Sequence, residues 1–144
     1  MSAPDDRAAV KEVIDRYFAA IDRSDPVMLR SCFADDAIYR SDAGRLDMDG
    51  GDMIGSRLAQ GGRYAFTSHL RGSQVLHFVN AACEADTFAV AYLVDRPGPD
   101  GMVIVRGIRY RDRLERRGDR WKIVSRLHSS QWQYEVAGAP VMPI

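Results

Sequence analysis

The spacing of hydrophobic residues near the start of the chain predicts an amphipathic helix. Apolar side chains recur there at three- and four-residue steps, the period of a helix with one buried face: Val10, Val13, Ile14, Tyr17, Phe18 and Ile21. Asp5 and Asp6 place negative charge at its N-terminus. Tyr17 and Asp22 lie near its C-terminal end, about 140° apart on an ideal helix. They can therefore share one cavity only if that cavity wraps around the helix end.

A second, shorter helix is predicted to begin after Asp25. Asp is a good N-cap residue, and Pro26 suits the first turn. Its apolar face is formed by Val27, Met28, Leu29, Cys32 and Phe33. We expect Asp35-Asp36 to end this helix in a turn, and residues 37–39 to form a short strand.

A third helix is predicted after a loop rich in Gly and Asp at residues 41–51. Asp52 can cap its N-terminus, and Met53, Ile54 and Leu58 supply apolar positions. The Gly61-Gly62 pair is expected to end it.

The remainder of the chain predicts strands separated by turns at residues 97–101 and 117–120. The predicted strands are Phe66–Val79 with a break at Gly72, Thr87–Val94, Met102–Arg116 with a bulge at Gly107, and Trp121–Trp132. Helices followed by antiparallel hairpins indicate an α+β fold in which a curved sheet wraps around the helices. We expect one domain over residues 1–144, with its core at about 7–132 and a tail at 133–144.

The charge balance argues against several classes of partner. The 144 residues contain 20 Lys and Arg and 20 Asp and Glu, so the net charge is zero. This gives no electrostatic basis for binding nucleic acid or an anionic membrane. The Arg-rich stretch 106–120 is interrupted by Asp112, Glu115 and Asp119, which is typical of the solvated face of a strand pair. No stretch reaches the length of a membrane span, and the acidic N-terminus does not resemble a signal peptide.

Neither the cysteines nor the histidines are spaced like metal ligands. Cys32 and Cys83 lie in apolar surroundings, where a free cysteine acts as a small buried hydrophobe, so we expect a reducing cytoplasm. His69, His77 and His128 form no close pair. No metal site is therefore predicted.

Several short sequences together resemble a known family. They are Asp22 at the end of the first helix, Cys32-Phe33-Ala34-Asp35-Asp36-Ala37, His69, and the pattern from Gly107 through Tyr110 and Trp121-Lys122-Ile123 to Arg126. From about residue 7 to residue 132 the chain resembles the SnoaL-like domain family of the nuclear transport factor 2-like superfamily. The resemblance implies a cone-shaped α+β roll with one deep, mostly apolar pocket.

The arrangement of polar residues is similar to that of cofactor-free lyases in this superfamily: the scytalone dehydratases, the bile-acid 7α-dehydratases and the hexachlorocyclohexane dehydrochlorinases. The resemblance implies an Asp22–His69 dyad, with Tyr17 five residues before the Asp and Arg126 five residues after Trp121. Tyr39 resembles a pocket tyrosine of the scytalone dehydratases. Ile21 stands where those enzymes carry another Tyr, so their substrate is not carried over.

These residues suit an elimination that begins with proton removal from carbon. A neutral His69, with an ordinary pKa of ~6.5, is suited to act as the base. Asp22 would fix its tautomer and stabilise the imidazolium. Arg126 or Tyr17, and less directly Tyr39, would stabilise negative charge on a substrate oxygen or leaving group.

His128 shares the strand parity of Arg126, so it is either a second acid or base in the pocket or a rim residue. Each of these residues also has a purely structural interpretation. Asp22 would then be a surface charge, His69 a core histidine, and Arg126 part of an ion pair. Tyr17 and Tyr39 would be core aromatics.

The resulting functional hypothesis is a cofactor-free lyase of the dehydratase type. It would act on a small hydrophobic, cyclic or aromatic, hydroxylated substrate. A carbon–carbon lyase or an isomerase using the same base is the first alternative, and a non-catalytic ligand-binding or assembly module is the second. Related lyases imply a homotrimer, with a dimer as the alternative, packed through the strand faces that bear Val103 and Val105.

Overall fold

Three helices precede most of the sheet. The computed structural model describes residues 4–42, 46–60 and 63–143. The helices are α1 (Pro4–Arg23), α2 (Pro26–Ser31) and α3 (Gly51–Ala59). The predicted apolar stripe of α1 is confirmed, since Val10, Ile14, Tyr17 and Phe18 are buried. Asp25 caps α2 as expected, because its side chain accepts a hydrogen bond from the Met28 amide at 2.9 Å.

The sheet has six strands in the order β2-β1-β6-β5-β4-β3. The strands are β1 (Phe33–Ser41), β2 (Asp47–Asp49), β3 (Phe66–Val79), β4 (Ala82–Val94), β5 (Met102–Arg117) and β6 (Arg120–Ala137). The long strands β3 to β6 pair antiparallel, and β1 pairs parallel with β6. This open, curled sheet with helices on its concave side is the α+β architecture that the sequence predicts.

Small residues line the middle of the concave face. Ala85, Ala89 and Ala91 of β4 are all buried, and their neighbours in sequence point to the outer face. Of the three, Ala91 borders a cavity between the sheet and the end of α1. The register between β5 and β6 shifts at the predicted position, between Gly107 and Ile108, but the residue left unpaired is Gln131, so the bulge lies on β6 opposite Gly107.

Two predictions around α2 and the following loop are wrong. Asp35 and Asp36 do not end a helix, because α2 stops at Ser31 and both residues lie exposed in β1. Their carboxylates instead pair with Arg30 and Arg117. The segment predicted as a loop at residues 41–51 contains the short strand β2.

The start of α3 and the strand lengths also differ from prediction. Asp52 lies in the first turn of α3 and forms an ion pair with Arg30, whereas the N-cap is Gly50 with a φ of 91°. The predicted stop at Gly61-Gly62 lies outside the described residues. Strand β4 begins at Ala82, before the predicted Thr87, and β6 runs to Ala137, past the predicted end at Trp132.

The outer face of the sheet carries apolar side chains in three cross-strand rows. The rows are Val90–Gly107–Trp132, Tyr92–Val105–Tyr134 and Val94–Val103–Val136. Tyr134 is 68% exposed. The outer face is therefore apolar and uncovered in the monomer at the end of the sheet next to the turn between β4 and β5.

Cys32 and Cys83 are free and buried, as their apolar contexts predict. Burial raises the pKa of both thiols to about 11, so neither is a reactive thiolate near neutral pH. No helix in the described part of the chain is long and apolar enough to cross a membrane.

Candidate active site

Asp22 and His69 form a hydrogen-bonded dyad between the end of α1 and the start of β3. The His69 ring Nδ1 lies 2.6 Å from Asp22 Oδ1, and the His69 backbone amide donates to Asp22 Oδ2 at 2.8 Å. The Thr67 hydroxyl donates to Oδ1 at 3.0 Å. Burial alone would raise the pKa of Asp22, but the hydrogen bonds from His69 and Thr67 outweigh burial and lower it. The carboxylate therefore stays ionised and favours a proton on Nδ1.

The imidazole of His69 is held from a second side by Phe18. The two rings stack at a centroid distance of 5.6 Å and an interplanar angle of 15°. The side chain of His69 is 7% exposed. With Nδ1 directed at Asp22, the other ring nitrogen, Nε2, has no hydrogen-bond partner in the described chain and is available as a base.

One cavity of about 270 Å³ contains this dyad. Its apolar wall includes Ile21, Leu46, Leu58, Leu93 and Ile108, and its polar wall includes Tyr17, Asp22, Tyr39, His69, Arg106 and His128. The cavity wraps around the end of α1, which is how two residues about 140° apart on the helix both reach it. An apolar cavity with a few convergent polar groups is typical of a small-molecule site.

Tyr17 and Tyr39 place their hydroxyl groups together in the cavity wall. The two oxygens lie 3.4 Å apart. Burial raises the pKa of Tyr39 well above its ordinary value, so the hydroxyl remains protonated and can donate a hydrogen bond. The pair provides hydroxyl donors on the wall shared by α1 and β1.

Arg126 does not line this cavity. Its guanidinium donates to both carboxylate oxygens of Asp112, at 2.6 and 2.7 Å, and neither side chain is exposed. Burial alone would lower the pKa of Arg126, but Asp112 raises it well above its ordinary value. The guanidinium carbon lies 4.0 Å from the centroid of the Tyr17 ring and 4.4 Å from that of Tyr110. Arg126 therefore contacts two aromatic rings of the cavity wall, but not the cavity itself.

His128 lies in the cavity wall beside Tyr110. The two rings stack at 5.2 Å, and both His128 ring nitrogens are buried with no hydrogen-bond partner. Burial, helped by the nearby positive charge of Arg126, lowers the pKa of His128 to about 4. His128 is therefore neutral at physiological pH, with one donor and one acceptor unused.

Arg106 is a cavity residue that the sequence analysis missed. We assigned the stretch 106–120 to a solvated face, but Arg106 lies on the concave side of β5. The signal was strand parity, since Arg106 is two residues from Ile108 and four from Tyr110, both buried. A charged residue in phase with buried positions points into the concave side of the sheet.

The described residues contain no group of three or more His, Cys, Asp or Glu side chains placed to hold a metal ion. His77 lies exposed on β3, eight residues after His69, and does not line the cavity.

Comparison with known proteins places the chain in a family. The family model described as a SnoaL-like domain matches residues 3–127. A search of curated proteins gave no match.

Solved structures share the fold at low sequence identity. The hexachlorocyclohexane dehydrochlorinase LinA-type3 from Novosphingobium barchaimii LL02 is 20% identical, with a TM-score of 0.81 over 97% of this chain and 96% of that one. A candidate scytalone dehydratase from Novosphingobium aromaticivorans is 20% identical, with a TM-score of 0.77 over 96% and 95%. A cystatin-like protein of unknown function from Nostoc punctiforme is 13% identical, with a TM-score of 0.70 over 90% and 93%. The fold is thus nuclear transport factor 2-like, and the chain belongs to the SnoaL-like domain family.

Proposed function

We propose that this protein is a cofactor-free lyase of the dehydratase type, with the Asp22–His69 dyad as its general base. The observation that carries the proposal is the 2.6 Å hydrogen bond between Asp22 and His69 Nδ1 in the wall of an apolar cavity. A base oriented in this way accelerates proton transfer by about 10²–10⁴-fold. Two structures that share the fold are described as a dehydrochlorinase and a candidate dehydratase, and both names denote eliminations.

The proposed reaction moves one proton and breaks one bond to a leaving group. His69 Nε2 takes a proton from a substrate carbon, and the electron pair of that C–H bond forms a double bond to the neighbouring carbon. The C–O bond on the neighbouring carbon breaks, and its oxygen leaves with the electron pair. Protonation of that oxygen by the imidazolium releases water and restores neutral His69. Asp22 stabilises the transient imidazolium.

Two hydroxyl groups are placed to assist the leaving oxygen. Tyr17 and Tyr39 point their phenolic oxygens to one place in the wall, 3.4 Å apart. A donor directed at an oxygen that gains negative charge lowers the barrier for its departure. In this scheme Arg126 is a positioning residue for Tyr17, because the ring of Tyr17 covers its guanidinium at 4.0 Å.

The cavity favours a small, largely hydrophobic substrate. A volume of about 270 Å³ and walls of Ile, Leu and aromatic side chains suit a cyclic or aromatic hydroxylated molecule. The same base could serve an isomerase that returns the proton elsewhere. A phenol donor in the same cavity as the base favours departure of a hydroxyl group over simple proton transfer.

We further propose that the protein is a homo-oligomer, a trimer in the first instance and a dimer as the alternative. The support is the uncovered apolar surface of Tyr92, Val105, Tyr134 and their neighbouring rows. An exposed apolar patch of this kind marks an association surface. Its position on the outer face leaves the concave cavity open to substrate.

Base catalysis can be tested before the substrate is known. Nitrobenzisoxazole undergoes ring opening when a base removes one proton from carbon, and the product phenolate is coloured. We expect saturable turnover by the wild-type protein and a loss of at least about 10²-fold in His69→Ala. The matched control is His77→Ala, an exposed histidine on the same strand.

The substrate class is tested by mass spectrometry. Hydroxylated aromatic and steroid-like compounds are incubated with the wild-type protein, and loss of water is measured. Full turnover of such a substrate by His69→Ala and Asp22→Asn would rule out the proposed base. Wild-type behaviour of His69→Ala in both assays would favour a binding module.

A further inference from the structure

Three residues on adjacent strands form one row across the concave face. His69 on β3 is the register partner of Ala91 on β4, and Ala91 is the register partner of Arg106 on β5. All three residues line the cavity. Strands lie about 4.8 Å apart, so the backbones of His69 and Arg106 are separated by about 10 Å along the sheet.

Ala91 is the middle residue of this row. Its side chain is a single methyl group, far shorter than the side chains of His69 and Arg106 on either side. The imidazole is held toward Asp22 and the guanidinium toward Gln133, and both residues line the same cavity. A planar group in the cavity between them would therefore have the base at one end and a cation at the other.

Arg106 has unused capacity to bind an oxygen. Its Nε and Nη2 both donate to the Gln133 Oε1 atom, at 3.0 and 2.8 Å. In the described part of the chain, its Nη1 makes no hydrogen bond and its charge has no carboxylate partner. Gln133 fixes the plane of the guanidinium and leaves the charge uncompensated.

Arg106 is also the only Lys or Arg that lines this cavity among the described residues. Arg126 is bound to Asp112 and covered by the rings of Tyr17 and Tyr110. If the reaction generates negative charge on a substrate oxygen, direct neutralisation therefore depends on Arg106.

We propose that Arg106 is a catalytic residue that binds a carbonyl oxygen of the substrate, next to the carbon from which His69 takes the proton. This inference rests on the proposed lyase function and narrows its substrates to hydroxylated compounds that carry a carbonyl group. A carbonyl acidifies the adjacent C–H bond, and bonds from a guanidinium to the resulting enolate oxygen are charge-assisted.

The step balances without any further reagent. His69 Nε2 takes the proton, the C–H electron pair forms the carbon–carbon double bond of an enolate, and the carbonyl π pair moves onto the oxygen held by Arg106. When the carbonyl re-forms, the enolate double bond shifts by one carbon and the C–O bond of the hydroxyl group breaks. The imidazolium protonates the departing oxygen, which leaves as water.

Proton exchange in heavy water tests the first half of this step. The probe is β-tetralone, a bicyclic ketone with acidic protons beside its carbonyl and no leaving group, followed by proton NMR. We expect Arg106→Met to lower the enzyme-catalysed exchange rate by about 10²-fold and Arg106→Lys to retain part of it. Arg111→Met is the matched control, an exposed Arg on the same strand and opposite face, and should exchange at the wild-type rate.

A binding experiment separates this inference from the lyase proposal. β-Naphthol has the planar ring and acidic hydroxyl of the enol, and naphthalene lacks the hydroxyl. We expect Arg106→Met to weaken β-naphthol binding by about tenfold and to leave naphthalene binding unchanged, in a measurement that requires no turnover. Equal binding of β-naphthol by wild type and Arg106→Met, or no binding by the wild type, would overturn the role of Arg106. Normal exchange in His69→Ala would instead overturn the base.

Discussion

The Asp22 carboxylate holds His69 twice, once through the ring Nδ1 at 2.6 Å and once through the backbone amide at 2.8 Å. The ring contact sets the tautomer, and the amide contact sets the distance between α1 and β3. One side chain therefore fixes both the protonation pattern of the base and its position. The purely structural interpretation of Asp22 is a surface charge at the end of a helix. A carboxylate in that role would make neither contact.

Asp22→Asn is expected to lower the rate of base-catalysed turnover by about 10²–10⁴-fold. The amide side chain can still accept from the His69 backbone, but it no longer stabilises an imidazolium. The measurement is the initial rate with nitrobenzisoxazole, accompanied by thermal unfolding. A rate within a factor of about two of wild type, in a folded variant, would contradict the role of Asp22.

Tyr17→Phe is expected to reduce turnover of a hydroxylated substrate by about 10²-fold while leaving stability nearly unchanged. The phenyl ring still covers the Arg126 guanidinium, so only the hydroxyl near Tyr39 is lost. Rates for Tyr17→Phe and Tyr39→Phe, measured separately and together, show whether the two hydroxyl groups act on the same oxygen. If both single variants keep full activity, neither hydroxyl assists the leaving group.

Arg126→Met is expected to destabilise the protein by about 3–5 kcal/mol, because it leaves the Asp112 carboxylate buried without its partner. Replacing both residues, as in Arg126→Met with Asp112→Leu, should recover much of that loss. Urea unfolding of the two variants and the wild type measures the difference. If Arg126→Met alone is as stable as the wild type, the ion pair does not offset the cost of burying the Asp112 carboxylate.

His128 is expected to make the protein less stable as the pH falls from about 6.5 to about 4. Its pKa is about 4 in the folded state, set by burial and by Arg126, with Arg106 and His69 acting in the same direction and Asp42 opposing. The unfolded state, with an ordinary pKa of ~6.5, binds the proton first, so each pH unit in this window costs about 1.4 kcal/mol. Below a pH of about 4, His128 is protonated in both states and causes no further loss of stability.

The His128 effect is measured by urea unfolding of wild type and His128→Gln between pH 7 and pH 4. Subtracting the two curves removes the contribution of the carboxylates, which is common to both proteins. The difference should grow toward acid, because Gln does not titrate. Parallel curves would mean that His128 reaches solvent in the folded state.

Tyr134→Glu is expected to shift the oligomer toward monomer without unfolding it. Tyr134 is 68% exposed in the single chain and lies in the middle row of the apolar outer face, at its β6 end. A buried, unpaired carboxylate is costly at an association surface but harmless on a free one. Sedimentation velocity of this variant, with Arg111→Glu as a control on the same face, measures the change. A wild-type protein that is already monomeric at micromolar concentration would contradict the proposed oligomer.

The sequence was sufficient to predict the order of the main elements, because their hydrophobic periods are strong. The stripe of α1 and the alternation in β4 and β5 carry most of the buried core. Strand ends were less predictable, because every side chain of β6 past Trp132 is exposed and the segment lacks a buried face. The turn predicted at Asp35 and Asp36 was wrong because adjacent acidic residues are typical of turns. Here both side chains are exposed on the strand β1.

The candidate site was predictable at positions where the residue matched both the chemistry and the position expected from the family pattern. Asp22, His69, Tyr17, Tyr39 and His128 all line one cavity. The position of Arg126 behind two rings was not predictable, because it depends on how Asp112 of the neighbouring strand pairs with it. Arg106 was missed because neighbouring arginines gave the whole stretch a basic character. Its parity relative to Ile108 distinguishes it only once the strand register is known.

β3 is an edge strand, and the backbone donors along a free edge are open to pairing with a strand of another molecule. The bond from the His69 amide to Asp22 closes one of these donors. The residue that orients the proposed base thereby also protects the sheet against edge-to-edge aggregation. A substitution that removes its acceptor oxygen, such as Asp22→Leu, would therefore reduce solubility as well as activity, and selection for either property would retain the same carboxylate.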